Sequence, residues 1–157
     1  MASSTTPATK RLTAAGVAFG LHEYGYESGH HIGEHAAAAI GADPVRVFKT
    51  LMLEVDGKPG CVVIPVALSV KLKQAAAALG GKSAQMMDPA KAERLTGFHV
   101  GGISPFGQKK RVPVVFDSSL RAHAQVILNG GRRGLMVELA PEDAIRVLQA
   151  TLADLTG

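Results

Sequence analysis

The chain has 157 residues, of which 46% are apolar but only 4% aromatic, and 17 Lys and Arg against 13 Asp and Glu give a formal charge of +4. This size suits one domain, residues 1–157, with a core of Val, Leu, Ile and Ala, and the composition excludes a disordered chain. A single cysteine, Cys61, excludes an internal disulfide framework and fits a reducing compartment, so the cytoplasm is the expected location.

No apolar run is long enough to span a bilayer, and MASSTTPATKRL lacks the apolar segment of a secretory signal. Residues 1–5 read as a frayed tail. Thr6-Pro7 then starts a helix that Gly16 stops, and AFGLHEY (18–24) alternates like a half-buried strand. Beyond a histidine-rich loop, EHAAAAIG forms a short helix ending at Gly41, and Asp43-Pro44 caps a further helical turn.

FKTLMLEV and GCVVIPVAL are strands joined through Asp56-Gly57-Lys58-Pro59, a strong hairpin signal. Ser69 is placed to cap a helix over KLKQAAAALG, and Asp88-Pro89 starts another that Gly97 stops. FHVGGISPFGQKK is turn chemistry. RVPVVFD, AQVILNGG and GLMVELA read as strands, and Pro141 opens a last helix, EDAIRVLQATL. Hairpins with helices interspersed, but not strictly alternating, argue an α+β domain built on a mixed sheet. A doubly wound parallel sheet fits the pattern less well.

Several stretches carry candidate chemistry. His31, Glu34 and His35 spell H-x-x-E-H, the spacing of one class of zinc peptidase. Gly33 interrupts the helix this would need, the helical pattern fades by Ile40, and no second spaced histidine pair follows. The spelling reads as a chance match, and no metal or other cofactor is expected. Cys61 lies in an apolar strand, where a thiol is usually inert packing. No G-x-S-x-G occurs, and Ser104 has no spelled-out partner.

Lys49 is more informative, because it opens an otherwise apolar strand. It is either a strand-end lysine reaching solvent or a cation at the floor of a pocket. In GGISP, Gly101 and Gly102 permit a turn whose N–H groups face a cavity, and Pro105 stiffens the exit; a plain loop is the alternative. Two tight basic clusters, Lys109-Lys110-Arg111 and Arg132-Arg133, adjoin glycine-rich segments. They suit either a polyanionic partner or ordinary solvated loops.

TPATKRL, LHEY, VFKTL, MMDPAKAERLTGFHVGGISPFGQKKRVPVVFD and GGRRGLMVEL, in that order, resemble the YbaK/EbsC family of freestanding aminoacyl-tRNA deacylases. That family is related to the editing domain inserted in bacterial prolyl-tRNA synthetases. The resemblance runs from about Thr6 to Leu155, and by spelling it is nearest the Cys-tRNA(Pro) deacylases. It implies an α+β fold with a curved mixed sheet and helices packed around it. It implies hydrolysis of the ester between an amino acid and the tRNA 3′-terminal adenosine, without a metal.

By the same resemblance, Lys49 takes the place of an essential lysine, and Gly101, Gly102 and Ile103 lie in the glycine turn at the pocket. Tyr24, Ile32, Thr50, Ser104, Pro105 and Met136 become substrate-binding candidates. Phe is frequent in the family where Ile32 stands, and some members carry Asp where Met136 stands. The attacking group would be water or the thiol of a cysteinyl substrate. The implied partners are aminoacyl-tRNA, through its 3′-terminal adenosine, and prolyl-tRNA synthetase, with no membrane. The alternative is a non-catalytic module of the same fold that binds tRNA ends or a synthetase.

Overall fold

The computed structural model describes residues 4–26 and 32–156. Helix α1 (Pro7–Ala14) starts where the Thr6-Pro7 signal places it. The Thr6 hydroxyl accepts from the Thr9 N–H, and the Thr9 hydroxyl accepts from the Thr6 N–H. Thr6 also donates to the Gly130 carbonyl, tying α1 to the chain after a distant strand.

Strand β1 (Gly20–Glu23) is followed by α2 (Ile32–Ala39), a single 3₁₀ turn at Pro44–Arg46, and the hairpin β2 (Phe48–Val55) and β3 (Lys58–Pro65). Asp56 and Gly57 have φ of 49° and 82°, the two positive values a type I′ turn requires. The Asp56 carboxylate accepts from the Lys82 and Ser83 N–H groups, which anchors the turn.

Helix α3 (Leu72–Ala78) begins one residue later than expected. Lys71, not Ser69, is its N-cap, and it contributes no side-chain cap. Strand β4 (Ala84–Met86) and helix α4 (Pro89–Thr96) follow. Asp88 caps α4 and Gly97 ends it at φ 80°.

The rest comprises β5 (Val114–Asp117), a 3₁₀ segment at Ser118–Ala122, β6 (Val126–Asn129), β7 (Leu135–Leu139), α5 (Pro141–Leu148) and β8 (Thr151–Ala153). The expected last helix is therefore too long by its ATL end, because the chain turns at Gln149 (φ 50°) and enters a strand.

Five strands pair in the order β4-β2-β3-β5-β8, with β2 antiparallel to both β3 and β4, and β5 parallel to both β3 and β8. A three-stranded antiparallel sheet, β1-β7-β6, joins this one through a parallel bridge between Val47 and Ile127. This is an α+β fold with mixed sheets.

The larger sheet is covered on both faces. Phe48, Met52, Cys61, Val63 and Phe116 pack in one cluster with Ala8 and Leu12 of α1 and Ala144 of α5. Leu53, Val62, Ile64 and Val115 pack on the other face with Ala75 of α3. A third, smaller cluster joins Ala37 of α2 to Val47, Val66, Ile127 and Met136. It sits where the two sheets meet.

Candidate active site

The pairing of β2 creates the site. Strand β4 bonds only to Leu53–Val55, so it leaves the edge of β2 beside Phe48–Leu51 uncovered. A cavity of about 740 Å³ lies there, within the roughly 300–1,000 Å³ typical of small-molecule sites. Its walls come from Phe48–Leu51, from Gly33, Glu34 and Ala36 of α2, from Tyr24, Asn129 and Met136, and from the turn at Val100, Gly101 and Ile103. Met86 and Val100 are exposed apolar residues among them.

Lys49 is half-buried and lines this cavity. Burial pushes its ammonium below the usual lysine range, and the Glu34 carboxylate partly opposes that shift. Lys49 thus stands both near the start of β2 and beside the cavity. Thr50 stands beside it, and its hydroxyl oxygen is buried with no hydrogen-bond partner. Such a group costs stability unless something else pairs with it, and Thr50 is among the residues that line the cavity. Tyr24 lines the cavity with its phenol pushed up by burial, and Met136 contributes a nearly buried thioether.

The glycine turn divides its expected donors. The Gly102 N–H donates to the His99 carbonyl at 2.8 Å and so closes the turn. Gly101 has φ of 91°, which favours glycine, and a Cβ there would lie 2.3 Å from the Tyr26 hydroxyl. Among the described residues, the Gly101 and Ile103 N–H groups have no hydrogen-bond partner. Ser104 and Pro105 stand away from the cavity. Ser104 is fully buried, with its hydroxyl accepting from the Phe106 N–H, and Pro105 borders a smaller cavity beside Arg11 and Arg111. Ile32 opens α2, and its side chain lies outside the described residues.

The H-x-x-E-H spelling is described only in part. His31 lies outside the described residues, and α2 runs through Gly33 instead of stopping there. Gly33 serves packing: a Cβ on it would lie 2.7 Å from a Val66 methyl carbon. Glu34 faces the cavity, while His35 Nε2 hydrogen-bonds the Gly25 carbonyl at 3.1 Å. That bond requires a proton on Nε2, leaving this nitrogen no lone pair for a metal. Among the described residues, no three His, Cys, Asp or Glu side chains converge. Cys61 is fully buried with its thiol pushed up to about 12, which keeps it protonated and inert.

Glu34 and Asn129 were not among the expected site residues. Asn129 ends β6 directly opposite Met136 and donates to the Gly101 carbonyl at 3.2 Å. Its oxygen accepts from the Gly131 N–H at 2.7 Å. The only sequence signal was N-G-G, which reads equally well as a turn.

Residues 27–147 match the sequence model of the aminoacyl-tRNA editing domain. The chain belongs to this family, the YbaK/EbsC editing domains. It is 32% identical over 153 residues to an Enterococcus faecalis protein, EbsC, named as a candidate Cys-tRNA(Pro)/Cys-tRNA(Cys) deacylase. That match covers 96% of this chain and 93% of the relative. Among solved structures, the editing domain is similar to a candidate trans-editing enzyme for prolyl-tRNA synthetase, with a TM-score of 0.87 and 22% identity, covering 100% of this chain and 99% of the other. A protein of unassigned function is similar at a TM-score of 0.85 and 24% identity, covering 96% and 99%. At those identities the two structures speak for the fold. The editing domain's walls, cation and glycine turn are this chain's own.

Proposed function

We propose that this editing domain is a trans-acting aminoacyl-tRNA deacylase that hydrolyses the ester of mischarged tRNA, with Cys-tRNA(Pro) as its first substrate. The observation that carries this reading is that Lys49, Thr50 and Gly101 line one cavity, with the Gly101 N–H unengaged. The name of the Enterococcus relative supports the choice of substrate.

An aminoacyl ester is already activated, so positioning and charge stabilisation suffice. Lys49 holds a phosphate of the terminal nucleotide or polarises the carbonyl, and Thr50 hydrogen-bonds the ribose or the ester. The Gly101 N–H donates to the oxygen that becomes negative in the tetrahedral intermediate. The attacking group is a water or the cysteinyl thiol. In the thiol case, sulfur adds to its own carbonyl carbon, the ester C–O bond breaks, and the thiol proton ends on the adenosine hydroxyl. The resulting four-membered thiolactone then takes up water to give free cysteine. No protein nucleophile enters either route, which suits a cavity whose nearby thiol is buried and protonated.

Prolyl-tRNA synthetase is the proposed partner, and the cytoplasm the place of action. Single-turnover deacylation of a panel of mischarged tRNAs tests the reading. Cys-tRNA(Pro) should be cleared fastest. A folded protein that clears none of the panel, but still binds tRNA ends or a synthetase, would replace the enzyme with a binding module.

A further inference from the structure

In the turn from His99 to Ile103, side chains and backbone hold five of the peptide N–H and C=O groups. The Val100 N–H donates to Glu93 Oε2 at 2.8 Å. The Val100 carbonyl accepts from Arg133 Nε at 2.8 Å. The Gly101 carbonyl accepts from Asn129, and the Gly102 N–H donates to His99. What this leaves at the cavity are the Ile103 N–H and the Gly101 N–H, the latter being the other end of the peptide unit whose carbonyl Arg133 holds.

A trans peptide places its N–H antiparallel to its C=O. A Val100 carbonyl turned toward Arg133 therefore turns the Gly101 N–H away from it. Gly101 lines the cavity and Arg133 does not. The guanidinium is itself fixed, with its carbon 5.1 Å from the centre of the Tyr26 ring. The backbone of Arg132 and Arg133 also lies so close to Gly102 that a Cβ there would come within 2.6 Å of the Arg133 nitrogen. A hydrogen bond from a charged donor is shorter and stronger than a neutral one, and it polarises the peptide it reaches. Charge drawn toward the Val100 oxygen makes the Gly101 N–H a better donor at the far end.

We propose that Arg133 is a positioning residue for ester hydrolysis: its Nε–H···O=C bond to Val100 aims and polarises the Gly101 N–H as the oxyanion donor. The inference rests on the deacylase reading of the cavity. It also assigns one member of the Arg132-Arg133 pair to the chemistry of the turn, where the sequence left solvated charge or polyanion binding open.

Two substrates and three variants test it. The substrates are cysteinyl-tRNA(Pro) and cysteinyl-adenosine, an ester without a phosphate. Arg133→Ala should lower the single-turnover rate on both by about 10²-fold, the scale of a misplaced reacting geometry. KM should change little, and added guanidinium ion should restore part of the rate. In Arg133→Gln, the amide nitrogen lies the same number of bonds from the backbone as arginine Nε, so an uncharged donor can still reach Val100. Its rate should fall between wild type and the alanine variant. Arg133→Lys keeps the charge but sets its nitrogen one atom farther out, and should do worse than Gln.

If Arg133 is instead a phosphate contact, its loss will raise KM for the tRNA alone. Lys will then outperform Gln, and cysteinyl-adenosine will be cleaved at the wild-type rate. That pattern overturns the proposal while leaving the deacylase intact. Wild-type protein that cleaves neither ester would remove the deacylase reading and this inference with it. Should the alanine variant fail to fold, the order of Gln and Lys on cysteinyl-adenosine decides the matter.

Discussion

Lys49 places a buried charge beside the cavity at a cost in stability. Burial lowers its pKa below the unfolded value, so the unfolded chain binds more protons over the interval between the two. Stability contributed at this position therefore rises with pH as the ammonium deprotonates, and at neutral pH the buried charge is a cost. Lys49→Met, which keeps the aliphatic stem and drops the charge, should melt no lower than wild type at neutral pH while its hydrolysis falls to background. Thermal melting beside single-turnover rates checks both halves, and a folded variant with near wild-type rates would remove Lys49 from the mechanism. This residue was legible from sequence because a cation in an apolar strand demands a reason. Tyr24, Gly101 and Met136 reached the cavity as the family resemblance implied. Glu34 and Asn129 were illegible, since a carboxylate on a short helix and an Asn before two glycines acquire meaning only when distant strands bring them to Lys49 and Gly101.

At the scale of elements, legibility followed punctuation. The hairpin was clear because Asp56 and Gly57 accept positive φ, and α4 was clear because Asp88 and Gly97 mark its ends. Strand β8 was hidden because α5 stops at Gln149, a non-glycine residue at φ 50°, with no glycine to mark the boundary. Strand β4 is only three residues long and gains its identity from pairing with β2.

The glycine turn offers a contrast between two glycines of one loop. At Gly102 a methyl group would meet the backbone of Arg132 and Arg133, the segment that holds the turn in place. At Gly107, with φ of 71°, it would meet the Pro7 carbonyl at 2.3 Å, away from the cavity. Gly102→Ala should lower the melting temperature and also cut the rate by about 10²-fold, because the displaced turn misaims its donors. Gly107→Ala should lower the melting temperature while leaving the rate unchanged below the transition. Equal rates in the two variants would reduce the turn to a connector.

For the whole molecule, an α+β fold with a mixed sheet was legible in the sequence, but its division in two was not. The sheets are joined through Val47 and Ile127, a pairing of residues 80 positions apart that no local pattern announces. That junction makes the cavity, so the site's location was as hidden as the junction. The fold also changes the meaning of the positive charge. Arg132 pairs with Glu23 at 3.5 Å, Arg46 with Glu138 at 3.1 Å, Lys91 with Glu54 at 3.0 Å and Arg121 with Glu142 at 2.7 Å. Arg133 is bonded to Val100.

Both arginines nearest the glycine turn are thus engaged within the protein, while the net charge of +4 is unchanged by such pairing. Each phosphate neutralised on binding contributes about −0.7 to −0.9 to the slope of log K against log salt. With both arginines beside the glycine turn engaged, and Lys49 the one cation among the described residues lining the cavity, the slope for tRNA should be no steeper than about −2, equivalent to two or three phosphates. Selection should then fall on the amino acid and terminal adenosine, so that moving cysteine from tRNA(Pro) to another tRNA body changes kcat/KM by less than about tenfold, or 1.4 kcal/mol. Filter binding across a salt series, beside deacylation of two cysteinyl-tRNAs with different bodies, measures both quantities. A steep slope with strong discrimination between bodies would mean that this domain reads the tRNA itself and needs no synthetase to choose it.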